Sequence, residues 1–387
     1  MKKTIVTMGV EEEFLLLDPV SGLPVAASRQ VQEEPGPPPC AGGVDHELSQ
    51  AQIETNTPVC TTTDQLATHL DALRTHLHQA AHARGYLLAH TGAAPDPPPH
   101  PVPLTTGDRY RTMHEADRRL ADEQLICGMH LHLGIPDRRD RITALRRLRP
   151  WLPLLLALSG SSPLWNGHDT GYASWRTVVF GRWPISGPPP LLTTPEKHDQ
   201  RLAQLTRQGL LPDRRQVYWH ARLSDRYPTF EIRVFDVQAI VDDAVTLAAL
   251  TRALVQWLLT KDSLPDPRPE LLQAATWQAA RYGLTGTLWD PHRDTLTPST
   301  DTLHTSLHRL GPNSAHPRRR SGGDQGHQPP AHPRHRCPTA THSTHPQLPS
   351  TPPPLRPGRD KVRRLPRLTN HHRDRPATRP RPEPAVR

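Results

Sequence analysis

The sequence predicts an α+β domain: a sheet with one apolar face covered by helices and one polar face lining an open funnel. Three observations carry that expectation. Four extended segments place polar side chains at i and i+2, positions that share a face in a strand. These are Glu11 and Glu13; Gln52, Glu54 and Asn56; His130 and His132; and Glu231 and Arg233. Other stretches repeat apolar residues every three or four positions, as helices with one buried side do. Near residue 311 all periodicity ends.

In chain order, 9–18 reads as a strand that Asp18-Pro19 stops. Glu11 and Glu13 point one way and Glu12 the other. Two like charges side by side weaken a strand by up to about 1 kcal/mol, so the pair needs water, a cation or a metal. The prolines and glycines of 32–43 mark a loop, and 50–57 is the next strand. Thr63-Asp64 caps a helix carrying Leu66, Leu70, Leu73 and Leu77 and ended by Gly85. Its histidines at 69, 76, 78 and 82 read as surface residues. Residues 86–91 form a short buried strand, 95–103 a proline-rich loop and 113–124 a helix.

The stretch 126–134 alternates cleanly, with Met129, Leu131 and Leu133 opposite His130 and His132. A helix over 142–158 is broken by Pro150 and Pro153. Residues 166–183 read as a loop and 196–208 as a helix. The stretch 227–236 alternates again, Phe230, Ile232 and Val234 against Glu231 and Arg233. Helices follow at 242–260 and at 269–282, the latter opening on a proline whose missing N–H costs nothing there. An amphipathic stretch over 302–310 ends the pattern.

Charge divides the chain. Residues 313–387 hold 16 Lys and Arg against 4 Asp and Glu, a net of +12, so the formal +9 leaves −3 for the preceding body. A nucleic-acid groove needs its basic charge on the folded surface, so nucleic acid is expected only through this tail. From Gly311 on, the chain has 17 of the 46 prolines and too little apolar surface to offset chain ordering, which predicts disorder. The expected division is a folded domain at 1–312 and a basic Pro/Arg/His-rich tail at 313–387. So abrupt a change fits a reading-frame change in the gene. Cys40, Cys60, Cys127 and Cys337 form no C-x-x-C pair, which fits a reduced compartment. The first residues lack a secretory pattern and the longest apolar run, 151–158, is far short of a membrane span. The expectation is a soluble cytoplasmic protein with no membrane partner.

Burying the polar face of such a sheet costs several kcal/mol without partners, and an open, metal-filled funnel removes that cost. Carboxylates with imidazoles suit Mg²⁺ or Mn²⁺, and no H-E-x-x-H or cysteine set points to zinc. There is no Walker A motif and no G-x-G-x-x-G. If a nucleotide binds, metals and arginines must hold its phosphates, with Arg109, Arg111, Arg176, Arg182 and Arg233 as candidates.

At these residues the chain resembles the glutamate–cysteine ligase type 2 family, in its YbdK-type carboxylate–amine ligase branch. The likeness lies in Gly9-Val10-Glu11-Glu12-Glu13-Phe14, Gln52-x-Glu54-x-x-Thr57-Pro58-Val59-Cys60, Gly128-x-His130-x-His132-x-Gly134 and Tyr227-Pro228-x-x-Glu231-x-Arg233. The stretches 169–176, 181–184 and 277–284 share it, and it runs from about 4 to 310. The resemblance implies a glutamine-synthetase-like fold, an antiparallel sheet forming an active-site funnel with helices behind it. It implies ATP-dependent joining of a carboxylate to an amine, with weak γ-glutamylcysteine synthesis from glutamate and cysteine or analogues. The chemistry then needs an acyl phosphate, because a carboxylate does not react with an amine at neutral pH. Glu11, Glu13, Glu54, His130, His132 and Glu231 are the expected metal ligands. Arg233 and Glu13 are the expected catalytic groups, and Arg109, Arg111, Arg176 and Arg182 the expected nucleotide contacts. The chain departs from the family in its tail, where helices are replaced, and at 32–43. Two alternatives are an inactive relative and an anion-binding protein acting through the tail. A homo-oligomer stays open.

Overall fold

The computed structural model describes residues 6–310 except 34, 35, 37, 39 and 262–265. The expected boundary at 312 and the tail at 313–387 lie outside the described residues. A seven-stranded sheet organises the rest: β1 (Thr7–Leu17), β2 (Gly43–His46), β3 (Gln52–Asn56), β4 (Leu87–Ala89), β5 (Gly128–Gly134), β6 (Ala221–Leu223) and β7 (Thr229–Asp236). Its order is β6-β7-β5-β1-β3-β2, with β4 on the far end of β1, and every pairing is antiparallel. β1 is central because it pairs with β3, β4 and β5.

The alternation read from the sequence sets the two faces. Met8, Val10, Met129, Leu131, Leu133, Phe230 and Ile232 are buried in one apolar cluster. Helices α3 (Arg138–Leu148), α4 (Leu152–Ser159) and α7 (Val241–Leu259) cover it. α3 and α4 are the expected 142–158 helix, and Arg149–Trp151 between them is a 3₁₀ turn at Pro150. In β7 a bulge between Ile232 and Phe235 shifts the register, so Val234 and Phe235 are both buried while Glu231 and Arg233 stay on the polar face.

α1 (Thr63–Ala83) lies along the same side, with Leu66, Leu70, Leu73 and Leu77 all buried as their spacing predicts. Its cap is Thr62 rather than Thr63-Asp64. Thr62 accepts the Gln65 N–H while the Gln65 side chain accepts the Thr62 N–H, a capping box. α6 (Pro195–Arg207) and α8 (Pro269–Tyr282) fall where expected.

Several elements were not anticipated, the following among them. β2 occupies the end of the expected 32–43 loop, and β6 is only three residues long. α5 (Trp175–Phe180) sits inside the expected 166–183 loop, and a two-stranded hairpin joins Thr287–Asp290 to Thr295–Pro298. The expected helix over 113–124 is instead α2 (Asp108–Asp117) followed by one turn, Arg119–Asp122. Arg118 separates them at φ 50°, a backbone state that ends a helix. The chain ends its described part in α9 (Ser299–Leu310). No described helix is long and apolar enough to cross a membrane.

Candidate active site

Strand register puts the polar side chains of four separate segments beside one another. Glu13 stands opposite Glu54 and Glu11 opposite His130. Glu231 stands opposite His132 on one side and Arg222 on the other. All of these except His132 line a cavity of about 300 Å³. Glu47, at the β2–β3 turn, and Arg176, on α5, close it from the rim. Leu48, Met113, Phe180, Trp183 and Tyr218 supply its apolar wall.

One end is acidic. Three groups each bring their ligand atoms within 4.8 Å of one another: Glu11, Glu54 and His130; Glu11, His132 and Glu231; and Glu13, Glu47 and Glu54. The imidazoles are pinned against the acids. His130 Nδ1 lies 3.3 Å from Glu11 and its Nε2 3.6 Å from Glu13, while His132 Nε2 lies 3.2 Å from Glu11. His132 Nδ1 bonds the Thr229 hydroxyl at 3.0 Å, which fixes its ring. The Gly128 N–H donates to Glu13 at 2.6 Å.

Electrostatics separate these acids by environment. Burial, then the neighbouring Glu47 charge, push Glu13 up to about 8, against Arg176 and the Gly128 N–H. Burial and the charges of Glu11, Glu47 and Glu13 hold Glu54 well above the usual carboxylate range. Burial also works on Glu11, but its bonds to His130 and His132 outweigh it and hold that carboxyl well below. Burial and the Arg233 charge pull His130 down to about 4. The Glu13, Glu47 and Glu54 trio has no Lys or Arg within ion-pair distance among the described residues, and such an oxygen cage fits a hard divalent ion. The residues present therefore suit Mg²⁺ or Mn²⁺.

The other end is basic. Glu231 accepts from Arg222 Nε at 2.7 Å and from Arg233 Nη1 at 3.0 Å. Burial would raise its pKa, yet these two charges bring it down to about 2. Glu231 thus belongs to a ligand trio and at the same time orients two arginines. Arg176 is buried, lies over the Phe180 ring at 5.2 Å and reaches only the Arg233 carbonyl, at 3.4 Å. The Nε atoms of Arg176 and Arg233 are buried without a hydrogen-bond partner. Gly128 makes room for the Arg176 guanidinium, since a Cβ there would stand 2.2 Å from Nη2. Arg176 is held by a buried network: its N–H donates to the Ser162 hydroxyl, and Ser162 and Ser174 both donate to Asp236.

Of the expected side chains, Glu11, Glu13, Glu54, His130, Glu231, Arg109, Arg176 and Arg233 line this cavity, and His132 joins through its trio. Arg109 sits at the mouth, 3.6 Å from Asp213. Two expected arginines do not reach it. Arg111 turns outward to Asp108 at 2.8 Å, because it lies one position past the helical face that holds Tyr110 and Met113. Arg182 pairs with Glu123 at 2.5 Å and faces a different cleft. Gln52 and Asn56 are also diverted: Gln52 is buried against the Ile126 carbonyl, and Asn56 donates to Asp45. The sequence reading missed Glu47, Arg215, Arg222 and Asp236. Arg222 carried a faint signal, the alternation of Ala221-Arg222-Leu223; Glu47 stood in a turn with no period to flag it.

Comparison with known proteins agrees with this architecture. The model of glutamate–cysteine ligase family 2 matches residues 7–319. A Saccharopolyspora erythraea protein named "Putative glutamate--cysteine ligase 2-1" is 43% identical over 297 residues, 76% of this chain and 78% of the relative. A Nocardia farcinica protein of the same name is 40% identical over 312 residues, 79% and 80% of the two chains. The fold is also that of the glutamate–cysteine ligase of Francisella tularensis, solved in complex with AMP. That match has a TM-score of 0.57 and 13% identity, and covers 80% of this chain and 78% of the other. A bifunctional glutathione synthetase from Pasteurella multocida gives TM-score 0.57 and 14% identity over 81% of this chain, which spans 46% of that protein. This chain therefore belongs to glutamate–cysteine ligase family 2, and its α+β antiparallel sheet is the fold of glutamate–cysteine ligases.

Proposed function

We propose that the chain is an ATP-dependent carboxylate–amine ligase, joining the side-chain carboxylate of glutamate, or an analogue, to the amine of cysteine or an analogue. One observation carries the reading: the carboxylates of Glu11, Glu13, Glu47, Glu54 and Glu231 and the His130 imidazole meet Arg176, Arg222 and Arg233 in a single cavity on one sheet face. That division matches a reaction that handles a polyphosphate and an acid together.

In this reading the substrate carboxylate oxygen attacks the γ-phosphorus of ATP, ADP leaves, and an acyl phosphate forms. The amine nitrogen then attacks the acyl carbon, phosphate leaves with the C–O electron pair, and the nitrogen loses a proton. Glu11, Glu54 and His130 would hold one Mg²⁺, and Glu13, Glu47 and Glu54 a second. The Glu11, His132 and Glu231 trio would hold a third. Bound there, the ion supplies Lewis-acid polarisation and charge neutralisation at phosphate oxygens. The chain's own work is positional and electrostatic. Arg176 and Arg233 present N–H donors that the protein leaves unpaired, ready for the equatorial oxygens of a transferring phosphoryl. Glu231 and Arg222 hold the Arg233 fork in place. The apolar wall excludes water that would hydrolyse the acyl phosphate. The Asp236–Ser162–Ser174 network fixes the start of α5 and so the reach of Arg176.

The test is phosphate release from ATP by the full chain, with glutamate and cysteine, with and without Mg²⁺. Release that needs both the amino acids and the ion supports the reading, and release indifferent to the amino acids removes it. An inactive relative would show none under any condition.

A further inference from the structure

A second and larger cleft lies behind α5. Its volume is about 1100 Å³, and it lies between α5, α6, α8 and the 185–192 segment. Both long helices turn a full face to it at helical spacing: Lys197, Arg201 and Gln204 on α6, with Gln208 at its C-cap; Leu272, Thr276 and Ala280 on α8. Ile185, Leu192 and Leu205 give it an apolar side.

Two features separate this cleft from an ordinary surface groove. Its floor includes buried polar atoms with no partner among the described residues, the Thr276 hydroxyl and the Nδ1 of His220. Buried donors and acceptors are nearly always satisfied, so an orphaned pair beside an open cleft marks where a ligand's polar atoms would sit. The cations also divide in a telling way. Arg149 is matched by Asp266 and Arg182 by Glu123. Lys197 and Arg201, one turn apart on α6, have no ion-pair partner among the described residues. The cleft thus combines a cationic rim, an apolar side and a polar floor that is not positively charged. Burial and the Arg176 charge take His220 down to about 3, so its ring stays neutral at physiological pH.

We propose that this cleft is a second binding site, for an amphipathic carboxylate whose acid meets Lys197 and Arg201, whose body lies on the apolar side and whose far end carries a hydroxyl or carbonyl at Thr276 and His220. It shares a wall with the reaction cavity. α5 sends Arg176 and Phe180 to one cavity and Thr177 and Val178 to the other. The His220 carbonyl accepts the Arg233 N–H at 2.8 Å. A bound molecule is therefore one side chain away from both catalytic-side arginines.

8-Hydroxyoctanoate, titrated calorimetrically into the full chain, is the probe. The expected result is saturable one-site binding, weakened about tenfold or more in Lys197→Gln/Arg201→Gln and for 1,8-octanediol, which keeps the body and hydroxyl and loses the charge. Gln204→Trp, placed on an exposed turn, fills the cleft and removes the heat while the melting temperature is unchanged. Glu13→Gln retains binding. The proposal is overturned by absence of saturable heat, by equal affinity in the double variant, or by loss in Glu13→Gln alone. The last outcome would put the carboxylate in the reaction cavity.

Discussion

Glu12 and Glu13 are neighbours on one strand, and the two faces of the sheet treat them in opposite ways. Glu12 points to the helix side, where it is fully buried. Arg74 grips it with two bonds, at 2.6 and 2.9 Å, and also donates to the Gln238 carbonyl. Glu13 points to the funnel. It meets Glu47, Glu54 and an imidazole, and its one strong donor is a backbone N–H. A charge that the protein neutralises with its own arginine is closed to ligands. A charge left to other acids is a site in need of a cation. The difference between structural and functional acid lies in the partner, not in the residue or its burial.

Breaking the closed side should have the largest effect. Arg74→Met strands the Glu12 carboxylate in the core and is expected to cost ~3–5 kcal/mol, read as a fall in denaturant midpoint. Glu12→Gln added to it should recover part of the loss. Equal stability of the single variant and wild type would mean that the contrast fails.

On the open side the sign reverses. Glu13→Gln should lower turnover by about 10²-fold or more, yet the metal-free protein should be at least as stable as wild type. Thermal melts in EDTA beside phosphate-release rates check both halves.

pH sharpens the same contrast. Glu13 has its folded pKa raised from 4.5 to about 8, and Glu54 is raised too. The folded state therefore binds more protons than the unfolded one. The Glu13 contribution to stability is fully present below about 4.5 and is lost as pH rises through about 8, and that of Glu54 is lost in the same direction. Glu231 runs the other way. With its folded pKa near 2, its contribution holds above about 4.5 and is lost as pH falls through about 2. Melting temperature of the metal-free protein should decline between pH 5 and 8 by these groups, about in the range of ordinary carboxylate linkage. Mg²⁺ should flatten that decline because it replaces the protons. A slope that is the same in EDTA, in Mg²⁺ and in Glu13→Gln would assign the decline to other groups.

The smallest effect belongs to an arginine that the sequence nominated and the fold turned away. Arg111→Ala should leave turnover unchanged, since Arg111 pairs with Asp108 in solvent. Arg176→Ala, its buried counterpart, should lower turnover strongly. Parallel phosphate-release assays on the two variants would show it.

How far the chain could be read follows from periodicity. Strands β1, β3, β5 and β7 announced themselves because a strand buried on one face must alternate, and any one-residue slip would put Met129 or Ile232 in the funnel. Helices α1, α7 and α8 announced themselves through leucines and alanines at helical spacing. β6 is too short to show a period. α5 hides among tryptophans and glycines, and its start is set by Ser174 bonding to Asp236, 62 positions away. The break at Arg118 has no proline or glycine to signal it.

By itself the sequence determined which side chains share a face, because strand period is a local property of the backbone. It therefore fixed Glu11 with Glu13, His130 with His132, and Glu231 with Arg233. Only the tertiary structure decided which of these faces meet. Glu54 stands across from Glu13, Glu47 arrives from a turn, and Arg222 rather than a metal alone claims Glu231. Register between strands far apart in the chain is chosen by the packing of the whole apolar face, and no local pattern encodes it.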